Sequence, residues 1–331
     1  MSIEGLLQLG GISYYVVLPI LLMAGCGYLL QKKLGLDMQT LTRLNFYFII
    51  PCFIFHAVVS THLTIGVAGT VSLFTILVMG SLTVLTLVVR RLFGVAPDQR
   101  NAMLMTVLFY NSGNYGLPLL DLAYRASGTS EQAMLLQSIV IIIQNLSGST
   151  IGVFLAASGK GQSHFKQVVY KVLTFPPLYA LTAAVITVQI RSMISPESSQ
   201  AMAHILRPFW EMVEYTRHSL VAFALCTLGA QLACIEKHGP KYPVRLSVII
   251  RLIMAPAIGV GLIYLLGLKG FMAQVLLIST AMPTAVNPLL LSLQFDNHPD
   301  YVARAVLFST LLSPITMTLV VYLAQQVLFS G

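Results

Sequence analysis

The sequence predicts an all-α polytopic membrane protein with ten transmembrane helices in two inverted five-helix repeats. Three observations predict it. The 331 residues are 56% hydrophobic and only 9% charged, with a mean hydropathy of +0.82. Soluble domains carry about a quarter charged residues, and no polar stretch here is long enough to build one. Lys and Arg sort into alternate loops, and the two halves echo each other across about half the chain.

Crossing the hydrocarbon takes about 20 apolar residues. Ten such runs lie near 12–31, 41–60, 65–89, 101–124, 133–157, 172–190, 209–234, 244–266, 271–294 and 304–329. The first lacks the basic start and small-residue cleavage site of a secretory signal, so it reads as a retained span. The second and third share an uncharged run from Leu44 to Val89 that divides near Ser60-Thr61-His62. The fourth is interrupted by Gly, Asn and Pro. The fifth ends at a basic segment, Ser158 to Lys171, which connects the halves. The sixth starts at Phe175-Pro176-Pro177, where proline suits the first turn of a helix. In the seventh to tenth the pattern repeats, with an interruption again in the ninth.

The loops after odd-numbered spans hold thirteen basic residues: Lys32, Lys33, Arg43, Arg90, Arg91, Arg100, Lys160, Lys166, Lys171, Lys237, Lys241, Arg245 and Arg304. The other side holds five, Arg125, Arg191, Arg207, Arg217 and Lys269. The positive-inside bias therefore places the first group in the cytoplasm and both termini outside it, in an inner or plasma membrane. The formal charge of +8 is topology information in short loops and does not point to nucleic acid.

Pro118 and Pro283 are 165 residues apart, and Leu146-Ser147 and Leu312-Ser313 are 166 apart, as are Thr150 and Thr316. Five is odd, so a second copy of a five-span unit enters the membrane upside down. This divides the chain into repeats at 1–160 and 161–331. Inverted repeats recur in secondary transporters, with the substrate site between them at mid-depth.

The chemistry concentrates in two interruptions. Asn111-Ser112-Gly113-Asn114-Tyr115-Gly116-Leu117-Pro118 cannot continue a good helix, and Pro283-Thr284-Ala285-Val286-Asn287-Pro288 is its counterpart. Lipid cannot satisfy the freed backbone groups, so such breaks line a cavity or lie under protein. A half-helix after each break presents N–H groups and a positive dipole end to a carboxylate. Asn111, Asn114, Thr284 and Asn287 add neutral donors and acceptors. The bland alternative is a packing kink, but paired breaks with Asn in both favour a site.

These two stretches, with Gln294-Phe295-Asp296 and Phe48-Ile49-Ile50-Pro51, resemble the auxin efflux carrier family over essentially the whole chain. The resemblance implies ten helices with the fourth and ninth broken and crossing at mid-membrane. It also implies a scaffold part and a transport part moving against each other, often in a homodimer, and a small organic anion as substrate. The substrate-binding residues would be Asn111, Asn114, Tyr115, Pro118, Pro283, Thr284, Asn287 and Pro288, with Arg251 as a candidate counter-charge. The long cytoplasmic loop of many plant members is absent, which favours a compact bacterial-type member over an auxin carrier.

Arg251 is the one firm charge inside a span. It reads either as a counter-charge for the anion or as a side chain snorkelling to the cytoplasmic face. His56 reads as a titrating group or a structural histidine. Asp121 and Arg125 are spaced for a helix-end pair, and Glu211, Glu214, Arg217 and His218 for local ion pairs. Asp296 reads as a gate or a solvated cap. Asn45, Gln137, Gln144, Asn145 and Gln231 line the path or bond between helices. No carboxylate sits at the centre of a span, so a coupling proton or sodium ion is left open. Cys26, Cys52, Cys226 and Cys234 lack metal-ligand spacing, and neither a cofactor nor a disulfide is read. An enzyme would need a nucleophile–base pair at depth; Ser147-Gly148-Ser149 has no His partner. The remaining rivals are a sodium-coupled symporter of similar fold and, lacking a filter-like repeat, a channel.

Overall fold

A computed structural model describes residues 3–60, 65–157, 176–193, 204–235 and 242–329. The basic connection at 158–171, the divider at 61–62, Phe175, Lys237 and Lys241 lie outside the described residues. Everything regular among the described residues is helical, with one isolated antiparallel bridge. Six helices are long and apolar enough to cross a membrane: α1 Leu7–Leu34, α2 Met38–Ser60, α3 Gly66–Leu92, α6 Ser130–Ala157, α10 Val244–Leu265 and α13 Pro299–Leu328. Shorter ones are α4 Arg100–Leu108, α5 Gly116–Tyr124, α7 Pro176–Met193, α8 Arg207–His218, α9 Leu220–Ala233, α11 Gly270–Thr280 and α12 Asn287–Phe295.

Local chemistry sets the ends. Gly35 closes α1 at φ 61°, a left-handed conformation that glycine adopts without a Cβ clash, and its N–H returns to the Gln31 carbonyl. Asp37 caps α2 by accepting from the Gln39 and Thr40 N–H groups at 3.2 and 3.1 Å. Asp296 takes the left-handed position after α12 (φ 52°), so it is a helix cap.

The helices pack as two groups. In one, α1 lies along α9, and α7 and α8 lie against α2. Glycine sets the closeness of α1 and α9: a Cβ on Gly27 would collide with the Cys226 carbonyl, and one on Gly229 with the Ala24 carbonyl. The other group packs α3 on α4, α6 and α10, then α10 on α11 and α13 on α4. A seam separates the groups, crossed where α1 meets α13 and α5, where α2 meets α6 and where α9 meets α5. The most enclosed segments are α4, whose residues Asn101 to Leu108 are all buried, the first turns of α5, and the end of α11. Outward-facing positions stay apolar, as at Leu22, Ile76, Val84 and Ile315, which suits lipid as the solvent.

Candidate functional site

The two interruptions meet. Helix α4 stops at Leu108 and α5 starts at Gly116, while α11 stops at Thr280 and α12 starts at Asn287. Between them the Asn111 N–H donates to the Pro283 carbonyl at 2.8 Å, and the Ala285 N–H to the Phe109 carbonyl at 2.9 Å. Two stretches of chain that left their helices thus satisfy each other in an antiparallel bridge at Tyr110 and Thr284. The Thr284 hydroxyl donates to the Thr106 carbonyl at 2.9 Å, and its N–H to Ser309 Oγ at 3.1 Å. Gly116 permits the close approach, since a Cβ there would lie 2.6 Å from Met282 Sδ.

Arg251 joins the two stopped helices. It is fully buried in a π-helical segment of α10, Ile250–Met254. One terminal nitrogen donates to the Val107 carbonyl at 2.9 Å and the other to the Thr280 carbonyl. Those carbonyls belong to the last turns of α4 and α11, whose dipoles place partial negative charge there. The guanidinium also lies over the Tyr110 ring, 4.6 Å from its centroid. Two helix ends and an aromatic face thus stand in for the carboxylate that a buried cation usually needs. Arg251 neither snorkels nor lines the cavity described next.

Beside the crossing lies a cavity of ≈ 280 Å³. Its walls are the first break, the second break with α12, α6, Phe46 of α2 and Gln231 of α9. The polar lining is built from neutral groups: Ser112, Ser149 and the carboxamides of Asn111, Asn114, Gln144, Asn145, Gln231, Asn287 and Gln294. Among the described residues no charged side chain lines it. Asn114 is held by Asn45, whose Nδ2 donates to its Oδ1 at 2.6 Å, and the Ser112 carbonyl accepts from Gln137 Nε2 at 2.9 Å. Two polar atoms stay unpartnered although buried, Asn111 Nδ2 and Gln231 Oε1, and the Gln144 amide meets only the Tyr110 hydroxyl. Buried polar groups normally find partners, so these atoms are open to hydrogen bonds from whatever fills the cavity, water or solute. Two π-helical segments shape the walls, Asn45–Ile49 with Phe46 and Gly148–Gly152 with Ser149.

The residues read from the sequence divide. Asn111, Asn114, Asn287 and Pro288 line the cavity. Tyr115, Pro118, Pro283, Thr284 and Arg251 do not; they build the crossing behind it. The Tyr115 hydroxyl accepts from Ser313 at 3.1 Å, and Pro118 is buried inside α5. The expected free N–H groups are also largely consumed. In α5, Gly116 donates to the Asn111 carbonyl at 3.0 Å and Leu117 to the Gly113 carbonyl at 3.2 Å. In α12, Pro288 has no N–H, and Leu289 donates to the Val286 carbonyl at 2.9 Å. The dipole ends remain, but side-chain amides supply the donors. Of the polar residues found inside spans, Gln144, Asn145 and Gln231 line the cavity, whereas Asn45 and Gln137 brace it. Phe46, Ser149 and Gln294 complete the wall without having been singled out as site residues.

A family model for membrane transport proteins matches residues 12–321. The chain belongs to this family, that of the auxin efflux carriers. An uncharacterized transporter of Methanothermobacter thermautotrophicus is 23% identical over 321 residues, which cover 93% of this chain and 97% of the relative. This auxin efflux carrier family member is accordingly a multi-pass membrane transporter.

The cavity reaches toward one end of the bundle. Its walls use the first half of α2, the last halves of α6 and α9, and α12 along its length. Those termini converge there: Gln31 meets Cys234 at 3.3 Å, Gln231 meets Thr42, Asn297 donates to the Leu155 and Ala156 carbonyls at 3.1 Å, and His298 lies 3.3 Å from Asp98. Lys32, Lys33 and Arg43 stand at the same end. At the opposite end the start of α6 is closed against α8 and α2.

Proposed function

We propose that this chain is a secondary carrier that moves a small organic anion, such as a carboxylate, by alternating access around the crossing. The observation that carries the reading is a carboxamide-lined cavity between two paired broken helices, with buried amide groups that lack partners. The N-terminal ends of α5 and α12 border it, and their dipoles favour negative charge. Seven carboxamides offer hydrogen bonds without a fixed cation that would hold an anion too tightly for release. In this reading ten spans form two inverted five-helix repeats, 1–160 and 161–331, in an inner or plasma membrane with both termini outside the cytoplasm. The helix group of α1, α2, α7, α8 and α9 serves as scaffold and homodimer contact, and the other group carries the cavity.

The test is thermal stabilisation of detergent-purified protein by a panel of organic acids. A ligand at about a hundred times its Kd adds about 2.7 kcal/mol to the folded state. One acid should raise the melting temperature of the native chain and leave Asn111→Ala and Asn287→Ala unshifted. Reconstituted protein should then show saturable flux and counterflow with that acid. If no acid shifts melting, or both variants respond as the native chain does, an anion at the crossing is ruled out. Flux that does not saturate would make the protein a channel.

A further inference from the structure

Polar contacts cross the seam at more than one depth. At the closed end Arg217 of α8 grips Glu214 of its own helix at 2.6 and 2.8 Å and reaches Glu131 of α6 at 2.7 Å, with His56 of α2 behind Glu214 at 2.9 Å. Glu131 is 43% exposed, so water takes over when that pair parts. At the cavity the contact is enclosed. Asn45 of α2 is fully buried, and its Nδ2 donates to Oδ1 of Asn114 in the first break at 2.6 Å. Asn114 belongs to the helix group that holds the cavity, and Asn45 to the group around α1 and α2. A cycle that moves one group against the other breaks this bond each time. A buried amide that loses its partner is costly, so the movement needs a second partner for Asn45 inside the protein.

That partner stands on α9. Helix α9 runs beside α1 in the same direction, with the Cys226 thiol 3.7 Å from the Met23 carbonyl and Gln31 meeting Cys234 at 3.3 Å. Since α1 ends at Leu34 and α2 starts at Met38, α2 returns antiparallel to both. Gln231 on α9 donates to Thr42 on α2 at 3.4 Å. One turn deeper, three residues after Thr42 and four before Gln231, come Asn45 and Thr227. Those spacings keep each on the same helix face as its neighbour, so Asn45 and Thr227 confront each other; Gly229 faces α1 instead. Both carry a buried oxygen with no hydrogen-bond partner, Asn45 Oδ1 and Thr227 Oγ1. Thr75, Thr83, Thr86 and Thr187, also inside helices, each donate to the carbonyl four residues back at 2.7–2.8 Å. Thr227 leaves the Phe223 carbonyl unused. A π-helical turn, Asn45–Ile49, starts at Asn45, and such turns are frequent at functional sites.

We infer that Asn45 is a positioning residue that exchanges partners during transport. While the cavity opens toward the Lys32–Lys33 end, Asn45 holds the Asn114 amide in the cavity wall. When the first break moves away, the Asn45 side chain turns toward α9, and the Thr227 hydroxyl donates to its Oδ1. One buried hydrogen bond replaces another, so neither arrangement leaves Asn45 without a partner. The Thr227 hydroxyl has no task in the present arrangement and becomes necessary in the other. This rests on the cavity being the transport site, worked by alternating access.

The experiment reads the side from which the cavity is open in the full chain, with the four native cysteines replaced by Ala and Ser149→Cys placed in the cavity. A membrane-impermeant maleimide is applied to whole cells and, separately, to inverted membrane vesicles. By the positive-inside bias the vesicles expose the Lys32–Lys33 end and the cells expose the other. Thr227→Val keeps the side chain's shape and replaces the hydroxyl by a methyl group. It should lower the labelling rate in cells several-fold, leave that in vesicles undiminished, and melt no lower than the parent. Thr227→Ser should label as the parent does. In an Asn45→Ala chain the Thr227→Val change should have no further effect, as two residues acting through one bond require. Parental labelling of Thr227→Val in cells, equal slowing by Thr227→Ser, a persistent effect in Asn45→Ala, or a lower melting temperature of Thr227→Val each overturns the exchange while leaving the alternation of the cavity intact. A parent chain that is never labelled in cells overturns alternating access at this cavity itself.

Discussion

Replacing Arg251 separates a structural clamp from a substrate counter-charge. Its two carbonyl contacts and its place over Tyr110 set the magnitude. Arg251→Met leaves the Val107 and Thr280 carbonyls buried without partners, costing about 1–3 kcal/mol each. Loss of the cation–π contact adds about 0.5–2 kcal/mol. Against this, a buried charge is removed, and substitution by a well-packed apolar side chain returns about 1–4 kcal/mol. The net expectation is a loss of about 1–4 kcal/mol. Arg251→Lys keeps the burial cost, but a single ammonium cannot hold two helix ends in fork geometry. It should be at least as damaging, about 3–5 kcal/mol. The assay is thermal or denaturant unfolding of purified protein, read beside ligand-induced stabilisation. A clamp predicts that Lys is no better than Met. If Arg251→Lys melts like the native chain, or Arg251→Met is fully stable and has merely lost anion binding, the clamp is refuted and the counter-charge stands.

Other substitutions test neighbouring features. Gly27→Ala or Gly229→Ala should push α1 from α9 and cost about 1–3 kcal/mol by overpacking, read as a lower melting temperature, while Gly25→Ala, which meets nothing within 4 Å, should be silent. Gln144→Leu gives up an amide that lines the cavity and meets only the Tyr110 hydroxyl, so the ligand-free protein should melt close to native while the response to ligand vanishes in the same assay. The hydrogen bonds that Asp37 accepts, led by the Thr40 hydroxyl, hold its carboxyl below its ordinary 3.8. Its contribution is therefore complete above that value and lost as pH falls through the lower, folded-state value. Asp37→Asn, which still caps, should remove this acid-side loss from a melting-temperature profile, and Asp37→Ala should melt lower near neutral pH.

What could be read in the sequence was local in origin. Gly, Asn and Pro crowded into eight residues forbid a helix wherever they sit, so the breaks at 109–115 and 281–286 were legible. The opposite cavity wall was not, because Gln144 and Gln231 look like any interhelical carboxamide until packing turns them inward. Arg251 was visible as a misplaced charge. That the stopped ends of α4 and α11, about 170 residues apart, converge on it depends on tertiary structure. The occupied N–H groups of α5 escaped for another reason: their acceptors, the carbonyls of Asn111 and Gly113, lie within the break, and its dihedrals decide where they point. Glu214 and Arg217 paired as their spacing of three implies, while His56 and Glu131 joined them from distant segments. The long helices followed from hydropathy, but their π-helical segments had no composition signal.

The bridge between Tyr110 and Thr284 also bears on biogenesis. When the ribosome has delivered residue 111, its partner at 283 is still about 170 residues from being made. At about 5–20 residues per second the wait is roughly 10–30 s. During that time the nascent membrane intermediate holds bare peptide groups in or beside hydrocarbon, with Arg251 yet to arrive. The first half therefore cannot mature by itself. It must linger near the insertion machinery or borrow lipid headgroups, water or a chaperone as a temporary partner. Quality control that recognises unpaired polar backbone in the bilayer would see a chain truncated after α6 as unfinished, however apolar its helices.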